Sequence, residues 1–166
     1  RDVIDDVTFY VFREGYTGGY GADGDHLKTM EEIEAAIGSG CTMITLDLSE
    51  HIHRPEENRG DVDDAVKAYY LDRAFPLEGG YEIRFSEREL RDAVTIYGEA
   101  LAFASQAAQR FFNQEDAPAE LEISIDETIL PTTPQQHFFV ANELVRKGVR
   151  FATIAPRFTG EFQKGI

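Results

Sequence analysis

The stretch Leu121-Glu-Ile-Ser-Ile-Asp-Glu-Thr-Ile-Leu-Pro-Thr-Thr-Pro-Gln-Gln-His137 determines the fold class of this 166-residue chain. Its first five residues have the apolar, β-branched character of a buried strand, and Asp126 and Glu127 follow directly. Thr133 is a typical helix N-cap, and Pro134 stands at the first helical position, which proline favours. The stretch therefore predicts a strand, a polar loop and a helix, the unit from which parallel sheets are built.

Other segments of the chain repeat this order of strand, polar residues and helix. Residues 18–25 predict a short strand leading into a loop, residues 42–48 a buried strand, and residues 149–155 the last strand. A capping box at Thr29 predicts a helix that ends near Gly38. Strands that alternate with helices imply a parallel sheet with right-handed crossovers. Part of a (β/α)8 barrel, which needs roughly 250 residues, and an open doubly wound sheet both fit this order.

The remaining helices follow from apolar spacing and caps. Residues 3–13 and 61–75 carry apolar side chains at helical spacing, and a second capping box at Ser86 predicts a long helix to about Asn113. Residues 52–80 contain charged loop, one helix and a proline-glycine break, so we expect an insertion there. Residues 1–166 are otherwise predicted to be a single α/β segment.

The composition limits the classes of partner. The chain has 31 Asp and Glu residues against 16 Lys and Arg, a formal net charge of -15. Binding to nucleic acid or to an anionic membrane needs clustered basic residues, so neither is expected. No apolar run predicts a membrane span, and no secretory leader is recognisable. The single cysteine, Cys41, allows no internal disulfide, which is typical of a reducing cytoplasm.

Acidic residues, histidines and a lysine recur where the predicted strands end. Asp25, His26 and Lys28 follow the first strand, and Asp with His is a ligand pair for divalent metals of the zinc, manganese, cobalt or nickel type. The alternative is a polar turn before a helix, where acidic residues favour the helix N-terminus. Asp47 ends the second strand, and a buried carboxylate there must be paired or bound to a metal.

The third and fourth predicted strands are also followed by charged residues. Of Asp126 and Glu127, we expect Glu127 to face the site, because Ile123 and Ile125 share its parity and would line the interior. The alternative is that this pair caps nearby threonines. His137, in the first helical turn, is either a ligand or a surface residue. Arg157 follows the last strand and either clamps a substrate carboxylate or pairs with Glu161.

At these residues the chain resembles the tagaturonate epimerase family. The matching blocks are Glu14-Gly-Tyr-x-Gly-Gly-x-Gly-Ala-Asp-x-Asp-His-Leu-Lys-Thr29, Gly40 through Asp47 with Glu50-His51, Ser124 through Thr128 with Pro131-Thr-Thr-Pro134 and His137-Phe-Phe, and Gly148 through Phe158 with Gly160. The likeness covers nearly the whole chain. The family's chain is longer, and this sequence resembles its middle to second-half segment, without the amino-terminal portion and a later His-Ser-Gly-Ser-Asp block.

The resemblance implies a metal-dependent, TIM-barrel-like isomerase that interconverts tagaturonate and fructuronate in hexuronate breakdown. The small-molecule substrate is a sugar acid, and the cofactor is a divalent metal ion. The expected metal ligands are His26, Glu127 and His137. The expected acid/base residues are Asp25, Asp47 and Asp126, with Lys28 beside them. The expected substrate-binding residues are Lys28, Thr132 and Arg157.

The chemistry implied by this resemblance has two possible routes. The inverted carbon is β to the ketone, so metal-assisted retro-aldol cleavage with a carboxylate as acid/base would invert it. Transient oxidation by a nicotinamide is the competing route, but no Gly-x-Gly-x-x-Gly follows a strand. A metal-dependent aldolase or isomerase and a non-catalytic sugar-acid-binding or cation-binding domain are the alternative functions. Because an incomplete barrel exposes strand edges, we also expect homo-oligomers or aggregates.

Overall fold

The fold was analysed in a computed structural model that describes residues 2–57, 61–128 and 130–160. The strands in chain order are β1 (Asp23–Leu27), β2 (Met43–Asp47), β3 (Phe75–Pro76), β4 (Glu82–Ile83), β5 (Glu120–Ile125) and β6 (Thr153–Pro156). A parallel sheet has the order β1-β2-β5-β6, and β3 and β4 form a separate antiparallel pair. The predicted α/β class with a parallel sheet is therefore confirmed.

The helices in chain order are α1 (Asp2–Arg13), α2 (Met30–Gly38), α3 (Asp64–Tyr70), α4 (Glu87–Ala107) and α5 (Pro134–Arg146). The predicted N-caps are confirmed, because Thr29, Ser86 and Thr133 each accept a hydrogen bond from the backbone of the third helical residue. The side chain of that third residue bonds back to the cap in all three boxes, which satisfies amides that a helix start leaves free. None of the described helices has the length and apolarity that a bilayer-spanning segment needs.

The two faces of the parallel sheet differ in polarity. Ile44, Leu46 and Ile123 are fully buried in a core that they share with the helices. On the opposite face the Thr45 hydroxyl lies within hydrogen-bond distance of Asp23 and Glu122, on the two neighbouring strands. Alternation along β2 places Asp47 on this polar face as well. The acidic side chains therefore lie on the side of the sheet away from the helical core.

Several predicted boundaries were wrong. β1 lies at Asp23–Leu27 rather than within residues 18–25, because the glycine-rich residues before it offer few side chains to pack. The helix predicted over 61–75 is confined to α3, since Asp63 caps it and Phe75 pairs with Ile83. β6 begins only at Thr153. By contrast, the predicted end of the long helix near Asn113 is confirmed, although its last turn, residues 108–112, is π-helical.

The parity argument for Glu127 was also wrong. β5 ends at Ile125, so strand alternation does not extend to Glu127. Moreover, Ile123 and Ile125 belong to the helical core, whereas Ser124 shares the polar face with Asp47, its partner in register. The position of Glu127 is therefore decided by the loop that follows β5.

Candidate functional site

The carboxyl ends of β1, β2 and β5 lie side by side, and each contributes charged side chains to one cluster. His26 lies in β1, and Lys28 is the first residue after β1. Asp47 is the last residue of β2, and Glu127 lies in the loop after β5. Because the three strands are parallel neighbours, residues far apart in sequence meet at one edge of the sheet. We call His26, Lys28, Asp47 and Glu127 the strand-end cluster.

His26 has a backbone conformation that non-glycine residues rarely adopt. Its φ angle is +53°, and the pairing of β1 with β2 shifts register between Gly24 and Leu27. Such a bulge changes the direction in which a side chain points, and it is found near functional sites. His26 Nδ1 lies 3.3 Å from Asp47 Oδ2 and 3.9 Å from Glu127 Oε1. The bulge therefore accompanies an imidazole that contacts two carboxylates.

Asp47 is the buried member of the cluster, with 1% of its surface exposed. Its Oδ1 accepts a hydrogen bond of 2.8 Å from the backbone N–H of Ser49, as in an Asx turn. Burial acts to raise the pKa of Asp47, but the hydrogen bonds from Ser49, Lys28 and His26 outweigh burial and lower it. Asp47 is therefore an anion at neutral pH.

Lys28 and His26 supply the positive charge around this anion. Lys28 Nζ lies 3.2 Å from Asp47 Oδ2 and 3.8 Å from Glu127 Oε2, and it donates a 3.0 Å hydrogen bond to Ser49 Oγ. The hydrogen bond with Asp47 raises the pKa of Lys28. For His26, burial acts to lower the pKa, but the hydrogen bond with Asp47 and the charges of Asp25 and Asp126 raise it overall.

Three residues of the cluster could together hold a divalent cation. One ligand atom each from His26, Asp47 and Glu127 lie within 4.8 Å of one another. An imidazole nitrogen with carboxylate oxygens suits zinc, manganese, cobalt and nickel. Three protein ligands would also leave a coordination position for a substrate, as in catalytic rather than structural metal sites. The donor set therefore fits the expected metal ion.

The other predicted carboxylates surround this arrangement. The Asp25 side chain is 77% exposed, and its Oδ1 lies 3.7 Å from His26 Nε2, on the other side of the ring. Asp126 accepts a hydrogen bond from the Ser124 hydroxyl and lies close enough to His26 to raise its pKa. Both carboxylates therefore border the cluster.

Thr132 and Arg157 hold two loops together at the end of β6. The Thr132 N–H donates to the Arg157 carbonyl at 2.8 Å, and the Arg157 N–H donates to Thr132 Oγ1 at 3.0 Å. The Thr132 side chain also hydrogen-bonds with Tyr97, which is 3% exposed on α4. The Arg157 guanidinium is turned towards the Asp126 carbonyl, with Nη1 at 3.5 Å. Neither Tyr97 nor Ser49 was predicted from the sequence, because a buried helical tyrosine and a loop serine carry no distinctive local pattern.

His137 lies outside the strand-end cluster. It lines a separate cavity of about 440 Å³ with Ile154, Pro156 and Arg157. Burial lowers the pKa of His137, and its Nδ1 has no hydrogen-bond partner among the described residues. The structure therefore brings His26 and Glu127 together with Asp47, whereas His137 faces the separate cavity at the end of β6.

Comparisons with known proteins show which family this sequence and fold resemble. A sequence model of the tagaturonate epimerase family matches residues 1–166. The chain is 39% identical, over 175 residues, to the tagaturonate/fructuronate epimerase of Thermotoga maritima, an alignment that covers 100% of this chain and 36% of that protein. The chain therefore spans about a third of the length of this relative.

Solved structures give the same result. The chain is similar to a glycerol-complexed crystal structure of the fructuronate-tagaturonate epimerase from Cohnella laeviribosi, with 43% identity and a TM-score of 0.88. The native crystal structure of that enzyme gives 42% identity and the same TM-score. Each match covers 98% of this chain and 36% of the other.

Proposed function

The chain belongs to the tagaturonate epimerase family, as its sequence resemblance predicted, and from this premise we propose that it is the metal-binding part of an epimerase. The proposed reaction is the interconversion of tagaturonate and fructuronate. The observation that carries the proposal is the strand-end cluster, in a chain that a family model matches throughout. Four parallel strands followed by polar loops also support a (β/α)8 barrel as the complete domain.

We assign the metal to His26, Asp47 and Glu127. A divalent ion held there would act as a Lewis acid on the substrate ketone. Asp47 is kept ionised by Ser49 and Lys28, as a metal ligand must be. Lys28 places an ammonium group beside the two carboxylates, where it can neutralise a developing oxygen anion.

The carboxylates that border the cluster supply the proton transfer. The base, for which we favour Asp126, removes the proton from the hydroxyl on the carbon β to the ketone. The bond between the α and β carbons then breaks, which leaves an aldehyde and an enolate. Rotation of the aldehyde and re-addition of the enolate form the inverted centre, and the alkoxide recovers the proton from the Asp126 carboxyl. Asp25, which is more exposed, is the second candidate for this role.

Two further residues complete the proposed site. The Arg157 guanidinium, near the Asp126 carbonyl, is placed to bind substrate oxygens beside the base. The Thr132 hydroxyl is already bonded to the Arg157 backbone and to Tyr97. We therefore infer that Thr132 acts on the substrate through Arg157, by holding the loop after β5 against the end of β6.

Metal content and product analysis test the proposal together. Elemental analysis of the purified protein should find one transition metal, and Glu127→Gln should lower the affinity for it at least about 10- to 100-fold, the loss seen when supporting groups of metal ligands are removed. The control is Glu115→Gln, an exposed residue away from the cluster.

The metal-loaded protein should convert tagaturonate to fructuronate. Cleavage products alone would indicate an aldolase, and binding without turnover a non-catalytic domain.

A further inference from the structure

A cavity of about 340 Å³ opens beside the strand-end cluster, between the loop after β2 and the loop after β5. Ser49 and Glu127 form the wall nearest to the cluster, and His53, Arg54 and Tyr97 line the same cavity. Its volume lies within the range of small-molecule sites, which are concave and mostly apolar with few polar groups. Because Glu127 belongs to both the cavity wall and the strand-end cluster, a molecule in this cavity can reach the proposed metal ligands.

Among the described residues that line this cavity, Arg54 is a cation placed to bind an anion. Among the residues that the structure describes, no carboxylate forms an ion pair with its guanidinium, and Arg54 is exposed. His53 beside it is held between Glu57 and Glu99, at 3.2 and 2.9 Å. The His53 N–H also donates to the Ile96 carbonyl at 3.0 Å. The backbone next to Arg54 is thus anchored on α4, while the guanidinium remains available.

We propose that this cavity binds the carboxylate end of the sugar acid and that Arg54 pairs with that carboxylate, an inference that rests on the proposed function. Arginine matches a carboxylate with two parallel hydrogen bonds. A ketohexuronate has its ketone and its carboxylate at opposite ends. With the ketone at the strand-end cluster, the carboxylate would extend past Glu127 into the cavity, whose apolar wall includes Ile52 and Ile96.

Arg157 is the competing partner for the carboxylate, and its geometry is less suitable. Its guanidinium is turned towards the Asp126 carbonyl, at 3.5 Å. The cavity that Arg157 lines is a different one, bounded by Ile154, Pro156 and His137. No residue of that cavity belongs to the strand-end cluster, so a molecule bound there does not touch Glu127.

The test compares tagaturonate with tagatose, the neutral ketohexose that carries a CH2OH group in place of the carboxylate. Calorimetry and steady-state kinetics on the metal-loaded protein give the Kd, KM and kcat for each sugar. Arg54→Gln should weaken tagaturonate binding about 10- to 100-fold, raise its KM and leave tagatose binding unchanged. Arg54→Lys should restore part of the preference. Arg88→Gln, at an 89% exposed side chain on α4, is the matched control and should behave as the wild type.

The outcomes separate this inference from the proposed function. If Arg54→Gln keeps the preference for tagaturonate, or if Arg157→Gln abolishes it instead, the cavity is not the carboxylate site, although the epimerase proposal stands. If the unmodified metal-loaded protein neither binds nor converts tagaturonate, the proposed function is wrong and this inference with it. Circular dichroism of each variant checks that a loss of binding is not a loss of fold.

Discussion

At the scale of single residues, the candidate site depends on His26 more than on any other side chain. A non-glycine residue with a φ angle of +53° costs of order 1–3 kcal/mol, and it persists only where the surroundings hold it. Here the partners are Asp47, at the end of β2, and Glu127, in the loop after β5, which both face the same ring nitrogen. The sequence showed that His26 is near a strand end, but not that the strand bulges there.

The first prediction concerns the charge of Asp47. Asp47→Asn removes the anion that faces Lys28 and His26 and changes an oxygen that accepts hydrogen bonds into a donor. We expect the free energy of unfolding to fall by about 2–3 kcal/mol, since hydrogen bonds to charged groups are the stronger ones. Urea denaturation measures the change. Asp25→Asn, at a 77% exposed side chain of the same region, is the control, and an equal loss in both variants would contradict the prediction.

The second prediction concerns pH and His137. Because burial lowers the pKa of His137, the unfolded chain binds a proton that the folded chain does not. The stability contribution of neutral His137 is complete above its ordinary pKa of 6.5 and falls as the pH drops below that value. Between about pH 7.5 and about pH 5.5, the wild type should therefore lose more stability than His137→Gln. Equal losses in urea denaturation would mean that His137 does not titrate in this way.

At the scale of secondary-structure elements, α3 is tied to α5 by a buried polar network. The Tyr70 hydroxyl donates to Glu143 Oε1 at 2.8 Å and accepts from Asn142 Nδ2 at 2.7 Å, and Arg146 pairs with Glu143. Tyr70 has no exposed surface, so burial raises the pKa of its hydroxyl and keeps it protonated as a donor. The helix in the predicted insertion is in this way joined to the helix that follows the site.

The third prediction tests this network. Tyr70→Phe keeps the buried ring but removes the hydroxyl, so Glu143 and Asn142 each lose a partner. We expect a loss of about 1–3 kcal/mol in the free energy of unfolding, together with faster hydrogen exchange in α3. Tyr81→Phe, at a residue that is 75% exposed, is the matched control and should change neither quantity. Equal free energies of unfolding and equal exchange rates in the two variants would show that the network does not stabilise the fold.

At the scale of the whole molecule, α1 stands out because none of its residues is buried. Val3 is 74% exposed, Phe9 59% and Phe12 85%, although a helix with apolar residues around much of its circumference is usually covered. Exposed apolar surface of this kind favours association. We therefore expect self-association through α1, in addition to the exposed strand edges on which the prediction from the sequence rested.

The fourth prediction concerns this surface. In sedimentation velocity, the chain should associate as its concentration rises, and Phe12→Glu should shift it towards the monomer by placing a charge in the apolar contact. Tyr81→Glu adds the same charge at an isolated exposed ring outside α1 and is the control. A wild-type chain that stays monomeric throughout would contradict the prediction.

Features that arise between residues close in the chain could be predicted without a structure. The capping boxes at Thr29, Ser86 and Thr133 were predictable because their hydrogen bonds span only three residues. The apolar runs that form β2 and β5 were also predictable, because they consist of consecutive residues in the sequence. The alternation of strands with helices then implied parallel neighbours, and so the proximity of the polar residues that follow β1, β2 and β5.

Which of these residues meet depends instead on how distant segments pack. The bulge that accompanies the His26 conformation depends on the register between β1 and β2, and the charge environment of Asp47 depends on Lys28 and His26 from the neighbouring strand end. His137 is withdrawn from the cluster because the start of α5 faces a separate cavity at the end of β6. Register and packing are set by contacts between segments distant in sequence, and no local pattern encodes them.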